Sequence, residues 1–286
     1  SLAGNFEERG KLLDKLLRCC EEESLRHYKP QVLQRYAILR QHQGKLTGAT
    51  AFYSEAYHRF MEQNDTAGAG LCLCNLGYLL CERGHRSEGE AYLKVARKLC
   101  FEKGHRVIEG HCLGLLGNSH YETGDYSLAR ESYLKALELF REEGELRWQG
   151  GALGYLAHLE RLRGSEGAAP ALKLFEDACE LHRKVHDREY LAYDLCRMAG
   201  LRVDQAQWEQ ARMHLHEARG ILNFGSYPKV DLVLLSVRAR LALCTNEPGG
   251  RDEGGRLLVC ARTLIESMGL SAANERLYDF LLASRA

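Results

Sequence analysis

The chain has 286 residues, and its 39 lysines and arginines are balanced by 39 aspartates and glutamates. This balance leaves no long-range field of one sign, so we expect no direct binding to nucleic acid or to an anionic membrane surface. The apolar runs are shorter than the roughly 20 residues that a membrane span needs. Leu, Ala, Glu and Arg are abundant and only four prolines occur, which predicts an all-α fold.

The eleven cysteines include no Cys-x-x-Cys pair. An odd number without paired spacing argues against a disulfide framework and against a zinc ribbon, and it favours the reducing cytoplasm. No basic region followed by an apolar stretch precedes the first helix, so no secretory signal is indicated. Because the first residue is Ser rather than Met, we expect the chain to be a fragment of a longer protein.

Residues 1–29 are predicted to form an N-terminal helix. Between Phe6 and Cys20 the apolar residues lie three and four positions apart, which places them on one helix face. This segment fits the second half of a truncated repeat. Pro30 suits the first turn of the helix that follows.

From residue 30 onward, a pattern of small and aromatic residues recurs about every 40 residues. Two copies precede the clearest one, which contains Leu116-Gly117 and Tyr133, and the later copies show more variation. We predict six repeats over residues 30–265 and a C-terminal capping helix over 266–286. The predicted repeats span approximately residues 30–65, 66–105, 106–147, 148–188, 189–226 and 227–265.

Each repeat is predicted to be a helix hairpin, in which a small residue in each helix lets the two backbones approach closely. Gly44, Gly84 and Gly124 follow helical stretches, where a residue in the left-handed conformation ends a helix at little energetic cost. A single hairpin leaves an apolar face exposed, so neighbouring hairpins must stack. We therefore predict one continuous α-solenoid rather than two compact domains.

The pattern of the tetratricopeptide repeat is matched by five elements of the clearest copy, namely Leu113, Leu116-Gly117, Ala129, Tyr133 and Ala136. The chain resembles this family over roughly residues 30 to 265. Residue 120 is His where the family usually has Tyr, and the period is about 40 residues instead of 34, which indicates a long-period branch. The resemblance implies a right-handed α-solenoid, similar to repeat domains of bacterial signalling ATPases and transcription activators and to Leu-Gly-Asn-repeat scaffolds.

In that family the first helix of each hairpin lines a concave groove, which implies a binding surface here. The residues that repeat register assigns to this groove are Gln31, Gln34, Gln41, Tyr78, His111, Asn118, Tyr121, His158, Arg161 and Tyr193. Amide side chains donate and accept hydrogen bonds, which suits capture of an extended peptide backbone, and Asn118 is the strongest single candidate. Tyr78 and Tyr121 would add apolar contact area.

Family members that bind chaperone tails hold a terminal carboxylate with a clamp of Lys, Asn and Arg side chains. In the register of that clamp the chain has Gln34, Ile38, Asn75 and Tyr78. The clamp is not matched, so we do not expect an adaptor for chaperone tails.

His182 and His186 lie four residues apart on a predicted helix and would present two ring nitrogens to one metal ion, but no third ligand accompanies them. We expect a solvated helix face there instead. His214 and His216 cannot share a helix face and are expected on the surface.

Cys72, Cys74, Cys112 and Cys196 fall within predicted first helices, where we expect them to pack as small apolar residues. No recognisable motif arranges a base beside them, and the sequence contains no phosphate-binding loop or nucleophile elbow. We therefore expect no enzyme activity, no cofactor and no metal ion.

The leading functional hypothesis is a non-catalytic scaffold that binds another protein, a peptide segment or a neighbouring domain in its groove. The alternative is a sensor or regulatory domain of a larger ATPase or transcription activator, which the missing Met favours. Self-association of two chains through a terminal face is a further open alternative.

Overall fold

The computed structural model describes residues 2–43, 45–222, 227–245 and 248–268. Within these ranges the regular structure consists of thirteen α-helices and one 3-10 helix, with no strand. The predicted all-α fold is therefore confirmed. The predicted capping helix over 266–286 lies largely outside the described residues.

The bounds of the elements follow a regular alternation of long helices and short connections. The α-helices are α1 (Leu2–Cys19), α2 (Lys29–His42), α3 (Leu46–Glu62), α4 (Thr66–Glu82), α5 (Arg86–Glu102), α6 (Arg106–Thr123), α7 (Tyr126–Glu142), α8 (Leu146–Arg161), α9 (Ser165–Lys184), α10 (Arg188–Asp204), α11 (Trp208–Leu222), α12 (Pro228–Cys244) and α13 (Gly250–Met268), and the 3-10 helix is Glu23–Tyr28.

The chain divides into two compact units, unit 1 (Ser1–Leu139) and unit 2 (Phe140–Ala286). In unit 1, α2 pairs with α3 and α4 with α5, and α3 and α5 also pack against the helix that follows each of them. In unit 2 the pairs are α8 with α9, α10 with α11 and α12 with α13, and α10 also packs against α9 and α12. Each unit is a stack of helix hairpins of the kind that forms solenoid repeats. In each hairpin we call the earlier helix the first helix and the later one the second helix.

Several of the turns between helices use glycine in the left-handed conformation, and Asn64, His186 and Ala206 adopt a positive φ in others. Gly84 and Gly124 both have a φ of +86°. The residue after the glycine donates its N–H to a carbonyl one turn back, as His85 does to Leu80 over 2.9 Å, which is the bond that closes a Schellman helix end. The sequence prediction is confirmed at Gly84 and Gly124, and Gly44 lies outside the described residues.

The two helices of a hairpin approach most closely where a glycine removes the Cβ atom. A Cβ on Gly77 of α4 would lie 2.7 Å from the carbonyl oxygen of Gly89 in α5 and 2.8 Å from Cγ of Leu93. A Cβ on Gly117 of α6 would lie 2.5 Å from the ring of Tyr133 in α7. No real Cβ fits at such distances, so these glycines are the points at which the helices touch.

The cysteines of the first helices lie in the core. Cys72, Cys74, Cys112 and Cys196 are fully buried, which confirms that they pack as small apolar residues. All eleven cysteines of the chain are free thiols.

Replacing Gly77 with Ala is expected to destabilise unit 1 by about 1–3 kcal/mol, because the added methyl group has to displace the backbone of α5. The matched control is Gly114→Ala in α6, since nothing lies within 4 Å of a Cβ at that position and Ala favours a helix over Gly by about 1 kcal/mol. Urea unfolding followed by circular dichroism measures both changes. Equal unfolding midpoints for Gly77→Ala and the unaltered chain would contradict the backbone contact.

Candidate binding surface

The ten groove residues predicted from the sequence all lie on first helices. Nine of them are half-buried, and Gln31 is exposed. We define the unit 1 face by the predicted residues on α2, α4 and α6, which are Gln31, Gln34, Gln41, Tyr78, His111, Asn118 and Tyr121. We define the unit 2 face by the predicted residues on α8 and α10, which are His158, Arg161 and Tyr193.

Two amides of the unit 1 face hold tyrosines of the neighbouring second helix. The hydroxyl of Tyr53 in α3 donates to Oε1 of Gln41 over 3.1 Å, and the hydroxyl of Tyr133 in α7 donates to Oδ1 of Asn118 over 2.8 Å. Both tyrosines are buried, and a buried phenol needs a partner of this kind. The carbonyl oxygen of each amide therefore accepts a hydrogen bond from the other helix of its own hairpin. The sequence pattern did not indicate this role.

Two other contacts join neighbouring first helices across the unit 1 face. Nε2 of Gln34 in α2 donates to Sγ of Cys72 in α4 over 3.7 Å. Nδ1 of His111 in α6 lies 3.7 Å from Sγ of Cys74 in α4. The polar side chains of α2 and α6 thus each contact a thiol of the helix between them, α4.

The two tyrosines of the unit 1 face are both half-buried. Tyr78 lies in α4 directly after Gly77. Tyr121 lies near the end of α6, and its ring centroid is 5.6 Å from that of Tyr126 in α7.

In unit 2, Arg161 reaches across α10 to a carboxylate. Its Nε donates to Oδ2 of Asp204 over 2.8 Å, and Arg240 of α12 binds the other oxygen, Oδ1. A Cβ on Gly200 would lie 3.5 Å from Nη1 of Arg161, so the guanidinium group crosses α10 close to the helix at this position. One carboxylate thus binds arginines from two other first helices.

Arg197 of α10 lies against Tyr193 one turn earlier. Its Nη2 donates to the Tyr193 hydroxyl over 2.6 Å, and its Cζ lies 4.4 Å from the centre of the Tyr193 ring. Its other terminal nitrogen, Nη1, is buried and has no hydrogen-bond partner. Burial, together with the charges of Arg197 and Arg161, lowers the pKa of His158 well below 6.5, so this imidazole is neutral at pH 7.

The sequence prediction missed three members of this group, Arg197, Asp204 and Arg240. Arg240 has the same offset from the start of its helix as His158 has in α8, so extending the register to α12 would have found it. Asp204 and Arg197 gave no such signal, because their roles depend on which side chains reach them from neighbouring helices.

The expectation that His182 lies on a solvated helix face is wrong, because its side chain is 0% exposed. Gly150 of α8 leaves the necessary space, since a Cβ there would lie 2.6 Å from Cε1 of His182. The ring of Tyr190 stacks on the imidazole at a centroid distance of 5.3 Å. His186 is exposed, as expected.

Of the other histidine pair, His216 is exposed, as expected, whereas His214 is half-buried. Burial lowers the pKa of His214. The two-residue spacing of His214 and His216 did not indicate this partial burial, which results from packing against neighbouring side chains.

His182 faces a second buried polar group, Asp194 of α10. Nε2 of His182 lies 3.5 Å from Oδ2 of Asp194, and Gly154 of α8 provides room for the carboxyl group, because a Cβ there would lie 2.7 Å from Oδ1. Burial raises the pKa of Asp194 to about 8 and lowers the pKa of His182 to about 4. Between about pH 4 and about pH 8, Asp194 therefore keeps its proton and His182 is neutral.

No group of three or more His, Cys, Asp and Glu side chains in the described ranges is arranged to hold a metal ion. None of the helices described has the length and the apolar character to cross a membrane.

Stacked hairpins closed by left-handed turns define a helical-repeat protein. The sequence profile of the tetratricopeptide repeat matches residues 111–143, which correspond to most of the α6–α7 hairpin. Residues 111–143 therefore match a tetratricopeptide repeat, as the resemblance in the sequence indicated. A comparison with curated protein sequences gives no match.

Solved structures share this fold at low sequence identity. BtubC (BKLC) from P. vanneervenii superposes with a TM-score of 0.56 at 17% identity, over 77% of this chain and 91% of that one. A Rap protein complexed with competence and sporulation factor gives a TM-score of 0.70 at 12% identity, over 96% and 79%. The apo form of RapI gives 0.62 at 14% identity, over 90% and 97%. At such identities the likeness concerns the fold alone.

Raising the pH from about 6.5 to about 8 is expected to lower the free energy of unfolding by about 1 kcal/mol through the His182–Asp194 pair. In this window the folded pair retains a proton that the unfolded chain has released, because free Asp titrates near 3.9 and free His near 6.5. Stability is therefore lost as the pH rises towards the raised pKa of Asp194. Denaturant unfolding at a series of pH values measures the effect.

The Asp194→Asn variant should lack this loss, since the amide does not titrate. Asp177→Asn, which removes an accessible carboxylate paired with Lys173 over 2.7 Å, is the control and should retain it. The other ionisable groups contribute equally to the pH dependence of stability in all three proteins. If the stability difference between Asp194→Asn and the unaltered chain stays constant across the window, the raised pKa of Asp194 is wrongly assigned.

Proposed function

We propose that the chain is a non-catalytic scaffold that binds an extended peptide segment of a partner protein on its first-helix faces. The observation that carries this proposal is that polar side chains of successive first helices meet one another in each unit. In unit 1, Gln34 of α2 contacts Cys72 of α4 and His111 of α6 contacts Cys74 of α4. In unit 2, Arg161 of α8 reaches Asp204 of α10. Side chains held by their neighbours lose less conformational freedom when a ligand binds, which favours affinity.

The chemistry of both faces suits a peptide. A peptide in an extended conformation has main-chain amides and carbonyls without internal partners, and Gln, Asn, His and Arg side chains supply complementary hydrogen bonds. Tyr78, Tyr121 and Tyr193 add rigid surface that is apolar over the ring and polar at the hydroxyl. The related structure of a Rap protein was solved with competence and sporulation factor bound, which supports a binding role for a fold of this type.

The state of the thiols supports a non-catalytic role. Burial raises the pKa of Cys72 and of Cys100 to about 12 and that of Cys81 to about 11. A thiol must lose its proton to act as a nucleophile, and these groups hold theirs at physiological pH. Free buried thiols also suit a reducing compartment, which supports the cytoplasm as the proposed location.

The same faces would serve a regulatory role if a neighbouring domain of a longer polypeptide occupied them. In that case the bound segment belongs to the same polypeptide as the repeats. The sequence of the full-length gene distinguishes this regulatory role from binding of a separate partner protein. A nucleotide-binding or DNA-binding domain beside the repeats would favour the regulatory role.

Selection from a phage-displayed library of random peptides tests the proposal. Peptides that bind the chain should lose about tenfold or more in affinity when Tyr121 or Tyr193 is changed to Glu, because each change removes a face tyrosine and adds a charge. The matched controls are Phe101→Glu on α5 and Met213→Glu on α11, which alter side chains that are both 70% exposed on second helices. These two variants should bind as the unaltered chain does.

Fluorescence anisotropy with the selected peptides gives the affinities, and circular dichroism shows whether each variant is folded. Selected peptides that remain bound to both face variants but are lost from a second-helix variant would place the binding surface elsewhere.

A further inference from the structure

Two buried tyrosines on second helices of unit 1 each bind the oxygen side of an amide on the unit 1 face. Tyr53 donates to Oε1 of Gln41 over 3.1 Å, and Tyr133 donates to Oδ1 of Asn118 over 2.8 Å. A primary amide has an oxygen on one side and an NH2 group on the other. The atom that meets the tyrosine therefore determines which group of the amide faces away from it.

The NH2 group of each amide is available to a ligand. Among the described residues, neither Nε2 of Gln41 nor Nδ2 of Asn118 donates a hydrogen bond to the protein. Neither nitrogen is a buried atom without a partner, and both side chains are half-buried on first helices. Each NH2 group is thus a donor that is open to an acceptor from outside the chain.

Turning the Gln41 amide around would deprive a buried phenol of its acceptor. Tyr53 is 1% exposed, and burial raises the pKa of its hydroxyl, which therefore keeps the proton that it donates. The thiols of Cys72 and Cys74 also lie near this hydroxyl, but sulfur is a weak acceptor. Because a buried donor without a good acceptor is unfavourable, the tyrosine hydroxyl selects one of two amide orientations that have nearly the same shape.

The hydroxyl and the amide are absent together from another hairpin of unit 1. In the α4–α5 hairpin the residue at the position of Tyr133 is Leu93, which contacts a glycine of the preceding helix just as Tyr133 does. Leucine offers no hydroxyl, and at the position of Asn118 this hairpin has Tyr78 instead of an amide. The tyrosine hydroxyl thus accompanies the amide and is not needed for packing at this position.

We propose that Tyr53 and Tyr133 are positioning residues that hold the NH2 groups of Gln41 and Asn118 towards the ligand, and that the segment bound on the unit 1 face meets them with main-chain carbonyl oxygens. This inference rests on the proposed function and adds the second helices to its specificity. Every residue of an extended peptide presents such a carbonyl. The two amides therefore bind the segment with little regard to its sequence.

The orientation of Asn118 is measurable by NMR without any ligand. In the full chain with nitrogen-15 label on asparagine, the side-chain NH2 signals of Asn118 are those lost in Asn118→Asp. These protons should exchange rapidly with water, because they face away from the hairpin. Slow exchange would show that the NH2 group is bonded inside the hairpin, and it would overturn the inference.

Peptides from the phage library that Tyr121→Glu weakens occupy the unit 1 face and are the probes for affinity. Asn118→Asp should weaken them by about tenfold or more in fluorescence anisotropy, because an oxygen then faces the ligand carbonyl. The variant should stay folded, since its carboxylate still accepts from Tyr133. Asn64→Asp adds the same charge at an exposed turn and should change the affinity by less than about twofold.

Tyr133→Phe tests the positioning role. It should weaken the same peptides by about two- to fivefold, because the amide then populates both orientations, and it should have no further effect in an Asn118→Ala background. The control is Tyr36→Phe, which removes another buried hydroxyl, the one that donates to Asp14 over 2.9 Å, and should leave the affinity unchanged. An equal loss with and without the Asn118 amide would show that the Tyr133 hydroxyl acts through packing, which overturns the inference.

Peptides with one amide bond replaced by an ester identify the acceptor, because an ester carbonyl is a weaker acceptor than an amide carbonyl. At the contacted position this replacement should cost about threefold more affinity for the unaltered chain than for Asn118→Ala. Coupling of Asn118 to an Asp or Glu side chain of the peptide instead would overturn the main-chain assignment.

The outcomes separate this inference from the proposed function. If Tyr121→Glu weakens selected peptides while Asn118→Asp does not, the inference fails and the proposed function stands. The same holds if every selected peptide is weakened by Tyr193→Glu alone, because the ligand then occupies unit 2. If the library yields no binding peptide, both fail.

Discussion

Two packed helices can touch backbone to backbone only where one of them lacks a side chain, and the hairpins of this protein are arranged around that constraint. In unit 1, Gly77 of α4 lies directly against Gly89 of α5. The close approach buries the apolar side of α4, where Leu76 and Leu80 pack in the core, and it leaves Tyr78 half-buried on the rest of the helix. The first-helix face therefore follows from the same contact that holds the hairpin together, and a change at the crossing would disturb both.

In unit 2 the space left by glycine is also filled by polar groups. Gly150 admits the imidazole of His182, and Gly154 admits the carboxyl group of Asp194. A buried pair such as His182 and Asp194 contributes little to net stability and is strongly destabilising when one partner is removed. Because burial raises the pKa of Asp194 to about 8, this carboxyl group keeps its proton near pH 7 and does not neutralise Arg197. The electrostatic character of the unit 2 face thus depends on side chains that do not reach its surface.

The periodic features of the fold were predictable because they recur in the sequence. Gly84 and Gly124 occupy matching turns, and Cys72 and Cys112 fall at matching core positions, so each copy supports the interpretation of the others. Contacts made between helices carry no such signature. The spacing does not show that Tyr133 donates a hydrogen bond to the carbonyl oxygen of Asn118. Nor does it show that His182 is buried beside Gly150, or that Asp204 binds arginines from two other helices. The sequence therefore identified the helices that bear the candidate surface, whereas the chemistry of that surface required the three-dimensional neighbours of each residue.

The central claim is that ligands bind to the first helices while the second helices support them. Hydrogen–deuterium exchange, measured by mass spectrometry with and without a saturating library-selected peptide, tests it most directly because it reports on each helix separately. The account predicts slower exchange in first helices, such as α8, α10 and α12 if the peptide occupies unit 2, with α9, α11 and α13 nearly unchanged. Protection confined to the second helices would contradict the account.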